Sequence, residues 1–200
     1  STSAPALLNG TGTIEVEKGT IIFGGSLSMD GWTYGDTADT PEGVTVAVGS
    51  DSSKTALSGV GGYVFSTAAD GTYSDWNTFL AANDSTYDGN AALNAGTYYV
   101  RYHVNSTGNY DAANGEATSF TVSRRTVTKP TFADNATTHT STHDAESQTV
   151  TVNNFNADIM NGSAIGAEGD SVSFNNAALT ATNADTYTLT VTLKGGNYTW

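Results

Sequence analysis

Two stretches of the chain carry nearly the same pattern, NAGTYYVRYHV from Asn94 to Val104 and NADTYTLTVTL from Asn183 to Leu193. In each stretch, apolar or aromatic residues occupy every second position, and mostly polar residues lie between them. Alternation with a period of two predicts a β-strand with one buried face. Their similarity predicts two copies of one folding unit rather than a single large sheet.

The in-facing positions of the two predicted strands correspond one to one. Each strand is followed by a turn that contains a Gly-Asn-Tyr triplet, at residues 108–110 and 196–198. The whole repeat is therefore longer than the strand itself. The predicted in-facing pairs are Tyr98 with Tyr187, Val100 with Leu189, Tyr102 with Val191, and Val104 with Leu193.

Further short alternating runs lie around residues 27–32, 44–48, 63–65, 120–122, 150–152 and 172–174. Turn residues separate them at intervals typical of a β-sandwich. Residues 74–83 are the exception, since Ser74 suits a helix cap and Trp76, Phe79 and Leu80 suit one buried face. The expected fold class is all-β, with two sandwiches in series.

The start of each repeated strand resembles strand F of immunoglobulin-like sandwiches. In that fold a Tyr two positions before a buried core residue bonds back to the corner backbone. The resemblance implies a tyrosine corner at Tyr98 and at Tyr187, although Asp185 replaces the usual Gly in the second copy. The combination NAGTYYV, GNY and SFTV is also similar to the tandem bacterial immunoglobulin-like repeats of cell-surface adhesins and stalk proteins.

The second predicted sandwich lacks a counterpart of the first one's last strand. The segment SFTVS at 119–123 follows the first Gly-Asn-Tyr turn, whereas the sequence stops at Trp200 soon after the second. The N-terminal run TIEVEKGTIIF resembles SFTVSRRTVTKPTF, with Ile14 matching Phe120 and Val16 matching Val122. The predicted organisation is a linker and orphan strand at 1–18, a complete sandwich at 19–124 and an incomplete one at 125–200.

An incomplete sandwich exposes unpaired backbone groups, and an open strand edge invites pairing. The sequence therefore predicts a donor strand with Ile14 and Val16 facing inward. It would pack beside an acceptor strand whose in-facing residues are Tyr187, Leu189, Val191 and Leu193. Three sources stay open: another copy of the chain, an adjacent repeat of a longer tandem array, or the N-terminal segment folding back within its own chain.

Charge and composition narrow the class of partner. Lys and Arg number 7 against 20 for Asp and Glu, a formal net charge of −13, and there is no Cys. A surface this acidic disfavours nucleic acid and anionic bilayers. The chain has no apolar run long enough for a membrane span and no disulfide framework or thiolate metal site.

No catalytic pattern stands out, so the sequence predicts no enzyme. His139 and His143 are four residues apart, but no Cys joins them, and a solvated loop explains them. The turns at 70–75 and 84–90 hold Asp side chains that suit calcium. Neither turn has EF-hand spacing, and the backbone requirements of turns are the favoured explanation for both.

The favoured hypothesis is an extracellular, cell-surface structural or adhesive protein that extends head to tail through strand donation. Its partners would be other copies of itself or adjacent immunoglobulin-like repeats. The alternative is a carbohydrate-binding module of a larger secreted protein that contacts a surface glycan. For that alternative, Trp32, Trp76 and Trp200 are available for stacking on sugar rings.

Overall fold

The computed structural model of the protein describes residues 13–50, 53–167 and 169–200. Strands dominate these residues, and their helical segments are one α-helix and one short 3-10 turn. The expected all-β class is therefore confirmed. Residues 1–12, which the sequence predicts to be a linker, lie outside the described residues.

The first half of the chain contains ten strands and the helix. In chain order they are β1 (Ile21–Ser28), β2 (Trp32–Thr33), β3 (Glu42–Ser50), β4 (Ser53–Leu57), β5 (Gly62–Ser66), α1 (Trp76–Asn83), β6 (Asp84–Tyr87), β7 (Asn90–Leu93), β8 (Gly96–Val104), β9 (Ala113–Asn114) and β10 (Thr118–Ser123).

Two sheets contain most strands of this first half, and β6 and β7 form a separate antiparallel pair. One has the order β1-β3-β4 and is antiparallel. The other has the order β2-β10-β8-β5, with β9 paired to the far end of β8. Within it β10 lies between antiparallel β8 and parallel β2. The repeated strand β8 is thus central, with neighbours on both edges.

Strand β1 bends where it passes Gly25. The β1–β3 register shifts between Gly25 and Ser28. Gly25 has a φ of +78°, and a Cβ there would collide with the carbonyl of Gly43. Glycine adopts this conformation without steric cost, which is how a strand accommodates such an irregularity.

Helix α1 forms where the sequence predicts it, but with a different cap. The Asp75 carboxylate accepts hydrogen bonds from the Thr78 amide at 3.1 Å and the Thr78 hydroxyl at 2.7 Å. These bonds lower the pKa of Asp75. Ser74 does not cap the helix, because its backbone amide and carbonyl both pair with Phe65.

The buried core of the first half lies between the β2-β10-β8-β5 sheet and helix α1. Phe120 stacks on Trp32 with ring centroids 5.4 Å apart, and Phe79 packs edge-on against Tyr98 at 5.4 Å. Such pairs add to the stability supplied by apolar burial. The buried members are Met29, Tyr34, Phe65, Phe79, Leu93, Tyr98, Val100, Phe120 and Val122.

The second half is less regular. A 3-10 turn spans Ala133–Asn135. The strands are β11 (Arg125–Thr126), β12 (Gln148–Thr151), β13 (Met160–Ile165), β14 (Val172–Asn175), β15 (Ala178–Ala181), β16 (Thr188–Leu193) and β17 (Tyr198–Thr199). They form an antiparallel sheet β12-β15-β14, an antiparallel pair β13-β16 and a parallel pair β11-β17.

The two halves differ in how well their cores are covered. Among the described residues, eleven apolar side chains from Met29 to Val122 are buried, against three in the second half. Those three are Val152, Met160 and Leu179. Because apolar burial is the main favourable term in folding, the second half has the weaker core.

Candidate strand-acceptor groove

Both repeated strands begin with the same tyrosine hydrogen bond. The Tyr98 hydroxyl donates to the Asn94 carbonyl at 2.9 Å, and the Tyr187 hydroxyl donates to the Asn183 carbonyl at 2.8 Å. Burial raises the pKa of both phenols. The corner preceding each strand is therefore held in the same way.

In the first half, β10 covers the β8 strand that follows this corner. Phe120 lies opposite Tyr98, and Val122 lies opposite Gly96, in an antiparallel register. The in-facing residue Val100 is completely buried, and Tyr98 is only 7% exposed. Strand β10 therefore completes both the hydrogen-bonded edge and the apolar packing of β8.

The corresponding strand in the second half is paired on one edge only. Strand β16 pairs with β13 from Met160–Leu193 to Ile165–Thr188. This matches the pairing of β8 with β5 in the first half. Within the described ranges no strand pairs with the other edge of β16, which is the edge that β10 occupies on β8.

The predicted acceptor residues are correspondingly less covered. All four are only half-buried, whereas Val100 and Val104, which correspond to Leu189 and Leu193, are 0% and 1% exposed. For Tyr187 and Leu189 the difference follows from the missing neighbour, since β10 pairs with the residues from Gly96 to Val100. Val104 pairs with β9 instead, and Tyr102, the counterpart of Val191, is itself half-buried. The four half-buried residues are Tyr187, Leu189, Val191 and Leu193.

A groove of about 440 Å³ lies at the start of β16. Residues 181–187 line it from the corner, and residues 137–141 with His143 line it from the segment that precedes β12. The apolar side chains of Phe132, Val150 and Leu179 also contribute to its lining. Of the four predicted acceptor residues, Tyr187 lines this groove, while Leu189, Val191 and Leu193 do not. The groove therefore adjoins the start of β16 and does not run along its free edge.

The corner beside the groove is braced by acidic side chains. The Ala167 amide donates to Asp185 at 2.7 Å and to Asp170 at 2.8 Å. Hydrogen bonds from the Thr186 and Ala167 amides hold the pKa of Asp185 below its usual value. Asp185, where the first repeat has Gly96, therefore ties the corner to the loop after β13.

The predicted donor residues lie in solvent. Ile14 is 92% exposed and Val16 is 87% exposed, and residues 13–18 form no strand. The described N-terminal residues therefore do not fold back onto β16 of their own chain. In this structure residues 13–18 pair with no strand, so the fold-back alternative is not the arrangement seen in the single chain.

The segment is nevertheless anchored where it enters the first half. The Gly19 amide donates to the Asn109 carbonyl at 2.8 Å, and Lys18 forms an ion pair with Asp111 at 2.7 Å. Residues 13–18 therefore leave the first half beside the Asn109-Tyr110 turn.

An equivalent bond occurs at the junction between the two halves. The Arg125 amide donates to the Asn197 carbonyl at 2.9 Å, in the second Gly-Asn-Tyr turn. Gly19 and Arg125 follow the aligned residues Lys18 and Arg124, so both repeats bond their entry segment in one way. The importance of Asn109 and Asn197 was missed in the sequence, although the repeated triplet contains both.

The remaining candidate residues have other roles. Trp32 and Trp76 line a second groove of about 400 Å³ together with Tyr87 and Asp88, but both indoles also pack on the core. Within the described residues, no three His, Cys, Asp or Glu side chains come together as metal ligands. His143 contacts the Thr182 carbonyl at 3.0 Å.

Comparison of the chain with models of protein families, with curated proteins and with solved structures finds no match. No helix among the described residues is long and apolar enough to cross a membrane.

Proposed function

We propose that the protein is an extracellular structural or adhesive module made of two immunoglobulin-like β-sandwiches, joined end to end by strand addition. The observation that carries this proposal is the open edge of β16, together with half-buried Tyr187 and Leu189, whose counterparts Tyr98 and Val100 pair with β10. The proposed role is structural, since it depends on backbone pairing and core filling between strands and not on a catalysed reaction.

The repeated corner supports the immunoglobulin-like assignment. Tyr98 and Tyr187 each bond a carbonyl four residues upstream, as expected for a tyrosine corner. Most strands of the first half also divide between two sheets, and β6 and β7 pair separately. By this assignment, residues 19–124 are the complete sandwich and residues 125–200 are the one whose last strand comes from elsewhere.

Residues 13–18 of a second copy suit the corner that precedes β16 and the first residue of its open edge. In the β10 register Thr13 lies opposite Thr188, where β16 begins. If they adopt the β10 register, Ile14 lies opposite Tyr187, as Phe120 lies opposite Tyr98. Val16 then lies opposite Asp185, and Glu15 and Glu17 point outward. The added strand would supply main-chain hydrogen bonds and cover the groove, which is the recognition mode of strand addition.

Apolar burial gives this contact a driving force. Full burial of an isoleucine or valine side chain contributes about 1.5–3 kcal/mol. Both donor residues are almost fully exposed in the single chain, so most of this contribution becomes available only on association. The groove residues gain further cover at the same time.

The interaction is heterologous, because the donor and acceptor surfaces are at different places in the chain. Such contacts continue into filaments unless the geometry closes a ring. In a longer polypeptide, an adjacent repeat would supply the same strand in cis. Either arrangement extends the molecule head to tail and suits a fibre or stalk at the cell surface.

Assembly of the full chain tests the proposal. We expect filaments or ladders of oligomers by electron microscopy and mass photometry at high protein concentration. The Ile14→Ser/Val16→Ser variant should remain monomeric with an unchanged melting temperature. The matched Glu15→Ser/Glu17→Ser variant, which alters only out-facing positions, should still assemble. A wild-type chain that stays monomeric, or a double variant that assembles normally, would contradict strand donation between copies.

The groove beside Trp32 and Trp76 favours a second candidate, the carbohydrate-binding module. Asp88 and Asn90 also line this groove and provide polar partners for sugar hydroxyls. A glycan array with wild-type protein and the Trp76→Ala variant tests it. Binding that disappears in the variant supports this candidate, while the absence of any glycan signal for the wild type rejects it.

A further inference from the structure

The junction between the two halves shows how one repeat docks on the repeat before it. The Asn197 side chain reaches from the second half to the corner that precedes β8. Its Oδ1 accepts from the Ala95 amide at 2.8 Å, and its Nδ2 donates to Asn94 Oδ1 at 2.7 Å and to Ser85 Oγ at 3.1 Å. The Asn197 side chain thus bonds both to a backbone amide and to side-chain oxygens of the first half.

The neighbouring residues reinforce this junction. Tyr198 packs edge-on against the buried Tyr34, with ring centroids 5.6 Å apart. Arg125 donates to the Tyr34 carbonyl at 2.7 Å and lies over the Tyr87 ring at 4.8 Å from its centroid. Arg125 also pairs with Asp36. The Gly-Asn-Tyr turn is therefore a docking element, held by the entry segment beside it.

The first half carries the same docking element at its opposite end. Its Asn109-Tyr110 turn is bound by Gly19, as Asn197-Tyr198 is bound by Arg125. Asn109 is exposed, and its side-chain amide has no hydrogen-bond partner among the described residues. This turn is next to the exposed donor residues Ile14 and Val16.

The second half carries the matching receptor. In the first half, Asn94 Nδ2 donates to the Asn83 carbonyl at 2.7 Å, which leaves its Oδ1 for Asn197. In the second half, Asn183 Nδ2 donates to Asp170 at 2.8 Å, and its Oδ1 accepts no hydrogen bond from the described residues. The Ala184 amide, equivalent to that of Ala95, makes no hydrogen bond within the described part of the chain.

We propose that Asn109 of one copy docks on Asn183 and Ala184 of a second copy, reproducing the contact that Asn197 makes with Asn94 and Ala95. The inference rests on the proposed strand addition, which brings the two surfaces together. The contact between two copies would then have the same geometry as the contact between the two halves of one chain. Filaments should therefore show a repeat of one sandwich in addition to the repeat of one chain.

Variants of the two asparagines test the contact. Asn109→Ala and Asn183→Ala should each raise the critical concentration for assembly about ten-fold, equivalent to about 1.4 kcal/mol. The double variant should also show about a ten-fold rise, because both substitutions remove one interaction. Asn161→Ala, at an exposed position on β13, serves as the control and should leave assembly unchanged. A double-variant effect near a hundred-fold would show independent sites and reject direct contact.

Cross-linking gives a second readout that does not depend on affinity, since the chain has no native Cys. Full chains carrying Asn109→Cys and Ala184→Cys should form a disulfide-linked ladder when oxidised. Chains carrying Asn109→Cys and Ser173→Cys should not. As a positive control, Ala95→Cys with Asn197→Cys should give a disulfide within one chain.

The outcomes separate this inference from the proposed function. Assembly that requires Ile14 but is insensitive to Asn109→Ala, with no ladder from the 109–184 pair, overturns the docking contact and leaves strand addition standing. Loss of assembly in Ile14→Ser/Val16→Ser together with a ladder from the 109–184 pair supports both. A wild-type chain that does not assemble at any concentration overturns both.

Discussion

Truncation of the aligned residues Phe120 and Ile14 should affect different properties of the protein. The first should lower the stability of the monomer, and the second should weaken assembly. Phe120 is 3% exposed and packs on Trp32, Tyr98 and Phe65, with centroid distances of 5.4, 5.8 and 6.3 Å. Phe120→Ala removes this packing and leaves a cavity, which costs about 3–5 kcal/mol. For a unit of about 100 residues this lowers the melting temperature by more than about 10 °C.

Ile14 is 92% exposed in the single chain, so Ile14→Ala should change the stability of the monomer by no more than about 0.5 kcal/mol. In the proposed assembly its side chain lies opposite Tyr187, beside the groove. Truncation there should cost about 2 kcal/mol, at the low end for buried isoleucine because the groove is open on one side. That cost corresponds to about a 30-fold rise in the critical concentration.

Two measurements on the same samples separate these effects. Calorimetry at a concentration below assembly reports the stability of the monomer, and sedimentation reports the critical concentration. We expect Phe120→Ala to affect the first and Ile14→Ala to affect only the second. Equal losses of monomer stability in both variants, or a critical concentration that Ile14→Ala does not change, would refute the equivalence of the two positions.

Three further results follow from charge, capping and the tyrosine corners. With a net charge of −13 per chain, assembly should strengthen as salt is raised from about 10 to 150 mM, because screening weakens like-charge repulsion; light scattering that falls with salt would contradict this. Asp75→Ala should lower the melting temperature of the first half through loss of the Thr78 bonds, whereas Asp75→Asn should retain most of the cap. Because the pKa of Asp75 is lowered on folding, its contribution should be present above its unfolded pKa of about 3.9 and lost as pH falls through the folded value; acid titration of the melting temperature should be shallower for Asp75→Asn than for wild type. Tyr98→Phe should destabilise the first half by about 1 kcal/mol by removing the bond to Asn94, and denaturant unfolding with no change would show that the corner bond is not stabilising.

Strands could be predicted from the sequence where apolar and polar residues alternate strictly. The patterns around Val44 to Val48, Phe120 to Val122 and Tyr187 to Leu193 each predicted a strand, and strands β3, β10 and β16 are there. Strands β13 and β15 were not predicted, because MNGSAI and ALTA contain small residues and little alternation. They form strands because β13 pairs with β16 and β15 pairs with β12, although their own sequences do not alternate.

Parts of the candidate site could be recognised only in three dimensions. The repeated phrase identified Tyr187 and Leu189 as acceptor residues, but not the loop at 137–143 that lines the groove with Tyr187. That loop is more than 40 residues away in sequence and has no apolar period. Likewise Ser74 and Asp75 are both good caps, and only the backbone pairing of Ser74 with Phe65 assigns the cap to Asp75.

The sequence by itself determined that the chain would be built from strands and that one strand-and-corner pattern would occur twice, since side-chain alternation and turn residues act locally. Tertiary structure decided which strands would have neighbours. Among the residues that the structure describes, β8 has strand partners on both edges, β16 on one edge, and residues 13–18 on neither. The physical reason is that strand pairing satisfies backbone groups between distant segments, so the same local pattern can be covered in one repeat and open in the other.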